Sequence, residues 1–349
     1  MNSERQRNGS KVVSRRRFTV LTGSSAVAGL AGCVSGGDDT GSGTADSDDP
    51  SVAVASFFSF YDFTRQIAEG TSMAVDNLVP VGLHGHGWEP DPTITRDIVD
   101  ADAFVNVGPD FQPWADRAIQ TAQDDDAGTH MINAREGIDL LPLADTVEDD
   151  EEIEDGLDPH FWLDPQLAKQ AVDNIADGLS EVDPEHESDF ADNAHELKTE
   201  LDELDAEWEA IFEQAEREYV FLAAHNAFEY IADRYGVTIQ PMVANLAAQD
   251  DVPPSDMAYA QDMIAKHDIQ HIGAAIFEPN EWAKQIIDET DAEAYYPVSP
   301  YAGTTPEWQE QDWGYFEIAR EINMPTFEIV TGATDPSETS LDDDWRNFD

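Results

Sequence analysis

The chain has 349 residues, and its 18 Lys+Arg against 74 Asp+Glu give a formal net charge of −56. That balance excludes nucleic acid as a partner, because no basic patch exists to neutralise phosphates. It does not imply disorder: 41 % hydrophobic residues, with 8 Trp and 16 Phe, can build a sizeable core.

The first segment is an address. Ser14-Arg15-Arg16-Arg17-Phe18 is a twin-arginine pattern, followed by an apolar, small-residue run from Val20 to Ala31. Leu30-Ala31-Gly32-Cys33 is a lipoprotein cleavage box. Residues 1–32 therefore read as a signal with Arg15 and Arg16 as its recognition pair. The apolar run is too short for a membrane span, which needs about 20 residues. Cys33 is the only cysteine, so it has no intramolecular disulfide partner, and lipidation after cleavage accounts for it. Residues 33–50, rich in Gly, Ser and Asp, read as a flexible acidic tether. The expected location is the extracellular face of the cell membrane, held by a lipid.

Of the charged residues, six bases and one acid precede Cys33, so the remainder carries 12 bases against 73 acids. Such self-repulsion opposes compaction in dilute salt. Molar salt shortens the screening length to about 3 Å and relieves it. The composition fits an extreme halophile.

Strand and helix signals then alternate. Strands are expected over Val52–Phe58, Ala74–Val81, Ala103–Val107 and His130–Ile132, and helices over Asp62–Ala68, Thr93–Asp100 and Pro113–Thr121. A further helix starts near Gln166. The second half repeats the rhythm. Its strands are Tyr219–Ala223, Thr238–Val243, Ile272–Phe277 and Ala294–Val298. Its helices are Ala227–Tyr235, Asp256–His267, Trp282–Thr290 and a closing Glu307–Ile322. This alternation predicts α/β architecture, parallel sheets covered by helices, in two domains. Between the halves, Phe190, Ala194, Leu197, Leu201, Leu204, Trp208 and Ile211 form one apolar stripe at helical spacing. It predicts a single helix from about Glu185 to Glu216, packed along both halves, with a coiled-coil dimer as the alternative. The expected organisation is a lobe over 51–184, a linking helix over 185–216, a lobe over 217–330 and an acidic tail over 331–349.

Three histidines sit in dense motifs: His86 in His-Gly-Trp-Glu-Pro, His160 in Asp-Pro-His-Phe-Trp-Leu-Asp-Pro and His225 in Ala-Ala-His-Asn-Ala-Phe. Each falls at a strand exit or loop, where open α/β sheets bind ligands. Pro90, Pro159 and Pro165 stiffen the backbone beside them. Three neutral imidazoles brought together by the fold make a transition-metal site.

These motifs, together with Val54-Ala-Ser-Phe-Phe-Ser-Phe-Tyr-Asp-Phe63, Val79-Pro-Val-Gly82, Arg234-Tyr-Gly-Val237 and Ile276-Phe-Glu-Pro279, resemble the extracytoplasmic metal-binding lipoproteins of zinc and manganese ABC importers. The resemblance runs from about Val52 to Glu328. It implies two α/β lobes, each a parallel-rich sheet flanked by helices, joined by one long helix with metal in the cleft. It implies Zn2+ as the transported ligand, with Mn2+ the alternative, and an ABC permease with a separate ATPase as partners. The implied ligands are His86, His160 and His225, and a histidine at the third position goes with zinc-type members. The family's usual fourth ligand is an aspartate where this chain has Ser299-Pro300. That leaves His84, a carboxylate such as Asp251, or water for the fourth place. The acidic stretch 148–155 stands where zinc members often carry a His-rich loop.

An enzyme is not expected. A mononuclear zinc hydrolase could use three histidines and an open position, with Glu229 as base. However, no His-Glu-x-x-His, Gly-x-Ser-x-Gly or phosphate-binding glycine loop accompanies them.

Overall fold

The computed structural model describes residues 50–83, 88, 90–143, 156–242 and 254–348. The first half runs β1 (Val52–Ala55), α1 (Phe58–Ile67), β2 (Ala74–Asn77), α2 (Thr93–Asp100), β3 (Ala103–Asn106), α3 (Pro113–Asp124) and β4 (His130–Asn133). Two helices follow, α4 (Pro165–Val182) and α5 (Glu187–Glu213). The second half runs β5 (Tyr219–Ala223), α6 (Glu229–Tyr235), β6 (Thr238–Pro241), α7 (Pro254–His267), β7 (His271–Ala275), α8 (Glu281–Glu289) and β8 (Ala294–Val298). It closes with α9 (Pro306–Glu310), α10 (Tyr315–Ile318), a π-helical turn over Ala319–Asn323 and α11 (Met324–Thr331).

Each half builds one four-stranded parallel sheet, in the orders β2-β1-β3-β4 and β6-β5-β7-β8. Strands covered on both faces by helices must be apolar throughout. β3 and β8 are accordingly buried at every position, while edge strand β2 alternates between exposed and half-buried.

α5 spans 27 residues, about 40 Å at 1.5 Å per residue. Its buried residues are the predicted stripe, Phe190, Ala194, Leu197, Leu201, Leu204, Trp208 and Ile211. The stripe is spent inside the chain, against α4, α1 and α11. One apolar cluster runs from Ala53 and Phe57 through this stripe to Phe327, so both lobes share a core.

The closing helix departs from expectation. The chain breaks after α9, with Asp312 at φ +57°, and restarts at Gly314. The restart is fixed from the other lobe: the Tyr315 N–H donates to the buried Asp62 carboxylate at 2.9 Å. α1 begins earlier than predicted, at Phe58, because β1 ends at Ala55. Strand β2 ends at Asn77, short of the predicted Val81, where a turn replaces it. Beyond Thr331 the chain stays packed. Asn347 brackets Tyr295 through both its backbone N–H and its side chain, and Leu341 and Phe348 are buried.

Candidate metal centre

His160 and His225 come from different halves of the chain and meet with ring centroids 5.5 Å apart and ring planes tilted by 48°. Both are 1 % exposed. His160 lies on the entry to α4. A short 3₁₀ turn, Phe161–Leu163, follows it, and Asp164 then caps α4 by accepting from Gln166 N–H at 2.8 Å. His225 follows β5 and precedes α6.

Each imidazole is held by a carboxylate. The Asp158 Oδ1 accepts from the His160 backbone N–H at 2.9 Å and faces His160 Nδ1 at 2.8 Å. Glu278, at the exit of β7, accepts from the His225 backbone N–H at 3.1 Å through Oε2, and its Oε1 faces His225 Nδ1 at 2.5 Å. A carboxylate on Nδ1 fixes the tautomer with the proton there and assigns metal ligation to Nε2. The Nε2 atoms of both rings are buried. Glu278 was legible only as part of the Ile276–Pro279 motif. Its partner lies 53 residues away and becomes adjacent only because β5 and β7 pair. The signal for Asp158 was its place two residues before His160.

Burial dominates the electrostatics. It holds the His160 imidazole well below its ordinary value of 6.5, with a further push from His225 against an opposing pull from Glu278. Burial lifts the Asp158 carboxyl to about 7, opposed by its hydrogen bond to the His160 backbone and by His225. The shift on His160 favours the neutral imidazole, the form a metal binds. The second oxygen of Asp158, Oδ2, is buried and has no hydrogen-bond partner among the described residues.

The segments are stapled together around the pair. The Tyr230 hydroxyl, on α6, donates to Asp158 O at 2.7 Å and accepts from Leu141 N–H at 3.0 Å. Arg234, also on α6, pairs with the Asp164 cap. Trp162 packs 5.3 Å from the His160 ring and is fully buried. Ser299 is buried too, but its Oγ is committed to accepting from Tyr301 N–H at 3.1 Å, while Asn323 engages both its N–H and its C=O. Ser299 thereby acts as a bracket for the backbone leaving β8. Glu229 is half-buried, and burial raises its carboxyl. His84, His86, Asp251, the stretch 148–155, Cys33, Arg15 and Arg16 lie outside the described residues. Among the described residues no group of three or more His, Cys, Asp or Glu side chains is placed to hold a metal ion, so two of the expected histidines are seen together and the third is not described.

Two parallel α/β sheets bridged by one long helix, with histidines from both halves facing each other, define a two-lobed binding protein of the importer type. The chain belongs to the family described as ZnuA, "Zinc-uptake complex component A periplasmic", which it matches over residues 53–327. It is 29 % identical over 291 residues to the high-affinity zinc uptake system protein ZnuA of Bacillus subtilis, covering 82 % of this chain and 89 % of that one. It is also 29 % identical over 241 residues to the manganese-binding lipoprotein MntA of Halalkalibacterium halodurans, covering 68 % and 74 %. Among solved structures, the metal-dependent lipoprotein YcdH from Bacillus subtilis superposes with a TM-score of 0.68 at 26 % identity, over 81 % of this chain and 99 % of that one. The Zn(II)-bound ZnuA-like domain of Streptococcus pneumoniae AdcA shares the fold, with a TM-score of 0.68 at 24 % identity, over 81 % and 99 %.

Proposed function

We propose that this chain captures Zn2+ outside the cell and hands it to an ABC permease driven by a separate ATPase. The observation that carries the reading is the pair of buried imidazoles, one from each lobe, each backed by its own carboxylate. Their Nε2 atoms supply two ligands, and His86 supplies the third. His84 is the proposed fourth, since Ser299 is occupied by the backbone. A ligand set of imidazoles without the aspartate favours zinc over manganese, because the Irving–Williams order ranks zinc higher at nitrogen. Family membership sets aside the hydrolase alternative: the metal is cargo.

The address completes the reading. Export by the twin-arginine pair Arg15 and Arg16, lipidation at Cys33 and a tether through residue 50 would hold the body on the outer face of the membrane. No described helix is long and apolar enough to cross a membrane. The composition is that of a protein working in molar salt.

Titrating zinc and manganese into metal-free protein in molar salt tests this. Zinc is expected to bind more tightly, and His225→Ala to weaken zinc by about a hundredfold, roughly 2.7 kcal/mol. Tighter manganese binding would instead support the reading suggested by the manganese-binding relative. Zinc binding untouched by His225→Ala would overturn the site.

A further inference from the structure

His160 is held from the other half of the chain. α6 follows His225, and its Tyr230 and Arg234 lie one turn apart on one face. Both reach into the segment that carries His160. Arg234 pairs with Asp164, four residues after it, and the Tyr230 hydroxyl donates to the carbonyl of Asp158, two residues before it, at 2.7 Å. The two contacts are unequal. Arg234 is solvent-exposed, where an ion pair contributes little, whereas Tyr230 is 2 % exposed.

The Tyr230 contact replaces part of a ladder. Residues 141–143 and 156–158 run antiparallel: Leu143 N–H donates to Gly156 O at 2.9 Å, Pro142 bridges to Leu157, and Asp158 N–H donates to Leu141 O at 2.8 Å. Leu141 and Asp158 face each other in this register, and such a pair ordinarily exchanges two hydrogen bonds. Here one is direct and the other passes through the hydroxyl. Leu141 N–H donates to the Tyr230 oxygen at 3.0 Å, and Tyr230 donates on to Asp158 O. A side chain from the second half is thus wedged into the last rung and sets the position of Asp158. Burial raises the hydroxyl above its ordinary 10, so it stays protonated and able to donate.

Asp158 passes that position on. Its Oδ1 accepts from the backbone N–H of His160 and faces Nδ1 of the same residue. The run of contacts from Tyr230 through Asp158 to His160 starts five residues after His225. It ends at the ring whose centroid lies 5.5 Å from that of His225. A short link built of hydrogen bonds behind the ligands fixes how they are presented to a metal.

We propose that Tyr230 is a positioning residue for the metal: its hydroxyl sets the spacing of the His160 and His225 imidazoles, and with it the coordination geometry they offer. The inference rests on the metal-capture reading and adds what holds these two ligands at their working distance.

The test compares Tyr230→Phe with Tyr235→Phe. Tyr235 lies on the same helix, and its hydroxyl donates to Asp205 on α5 at 2.9 Å, so its hydrogen bond bypasses Asp158. Each variant keeps its ring and loses one hydroxyl, and both metal-free forms should melt a few degrees below the wild type. Zinc affinity is measured by chelator competition in molar salt. Geometry is read from the visible absorption of the Co2+-loaded protein, whose d–d bands respond to the arrangement of ligands. Tyr230→Phe should weaken zinc by about tenfold, the lower end of the range for groups behind a ligating histidine, and should shift the Co2+ bands. Tyr235→Phe should leave affinity and bands as in the wild type. A band shift is not expected of lost stability alone. Wild-type affinity in Tyr230→Phe, a loss of affinity with unchanged bands, or equal changes in both variants would overturn the proposal. Failure of Tyr230→Phe to fold would assign the hydroxyl to the framework and overturn it too. A wild type that binds neither zinc nor Co2+ is a separate result, which removes the metal reading and the spacing role with it.

Discussion

The two sheets share one strand order, and so each has one place where the chain leaves neighbouring strands in opposite directions. In the C-terminal sheet that crevice lies between β5 and β7, and in the N-terminal sheet between β1 and β3. Such switch points are where open α/β sheets bind ligands. The chain uses the two differently. The β5/β7 crevice holds His225 and Glu278. The β1/β3 crevice is filled with aromatic rings: Phe57 packs on Phe111 at 5.5 Å and on Trp162 at 4.7 Å, and Gln112 closes the opening by donating to Ser56 O at 2.8 Å. His160 rests against this wall, 6.3 Å from Phe111. Topology sets where a site can be, and side chains decide which lobe orients a ligand with its crevice and which offers a rigid surface.

The largest expected effect tests the wall. Phe57 is fully buried, and Phe57→Ala removes a ring at the centre of the packed cluster. Unfolding in denaturant should show a loss of about 3–5 kcal/mol. Zinc affinity of the folded fraction should change far less. Equal losses in stability and affinity would mean the N-terminal crevice takes part in ligand chemistry after all.

Much of this division was legible in the sequence. The α5 stripe could be read residue by residue, because helical spacing is local. The motifs of His160 and His225 marked both segments. What stayed hidden was set by long-range pairing. Glu278 has no local reason to serve His225, since only the β5–β7 register brings them together. The break after α9 was hidden for the same reason: the apolar pattern continues from Glu307 to Ile322, and the interruption is fixed by Asp62, 253 residues before its partner Tyr315. The expected β2 overruns the observed strand because Leu78 and Val79 are buried in an irregular segment beyond Asn77, ahead of the turn that starts at Pro80.

The next effect tests the C-terminal crevice. Glu278→Gln keeps the size but changes what faces His225 Nδ1, so the tautomer is no longer enforced. Loss of a carboxylate behind a ligating histidine costs about 10–100-fold in metal affinity. Calorimetric titration of zinc should find that loss with folding stability largely kept. An unchanged affinity would make Glu278 a packing residue and would erase the contrast between the crevices.

The smallest effect compares the buried carboxylates themselves. Glu278 serves a histidine, whereas Asp62 in the N-terminal lobe serves the fold. Asp62 accepts from Tyr315 N–H, Arg65 and Gln66 at 2.8–2.9 Å, and it is 1 % exposed. Burial raises its carboxyl above the ordinary 3.8, against the opposing pull of Arg65. The folded state therefore holds a proton over a pH range in which the unfolded chain has already lost it. The stability this contributes is present in full below the ordinary carboxyl value and is lost as pH rises through the folded one. Asp62→Asn has no such pH dependence, although it also loses part of the hydrogen bonding. Subtracting its melting curve from that of the wild type at each pH cancels the titration of the many surface acids. The wild-type advantage should widen as pH falls from 7 towards 4, by at most about 1.4 kcal/mol for every tenfold by which folding strengthens proton binding. A gap that narrows on acidification would mean that Asp62 is held ionised by Arg65. The contact would then be an ion pair within α1, with a pH dependence of the opposite sign.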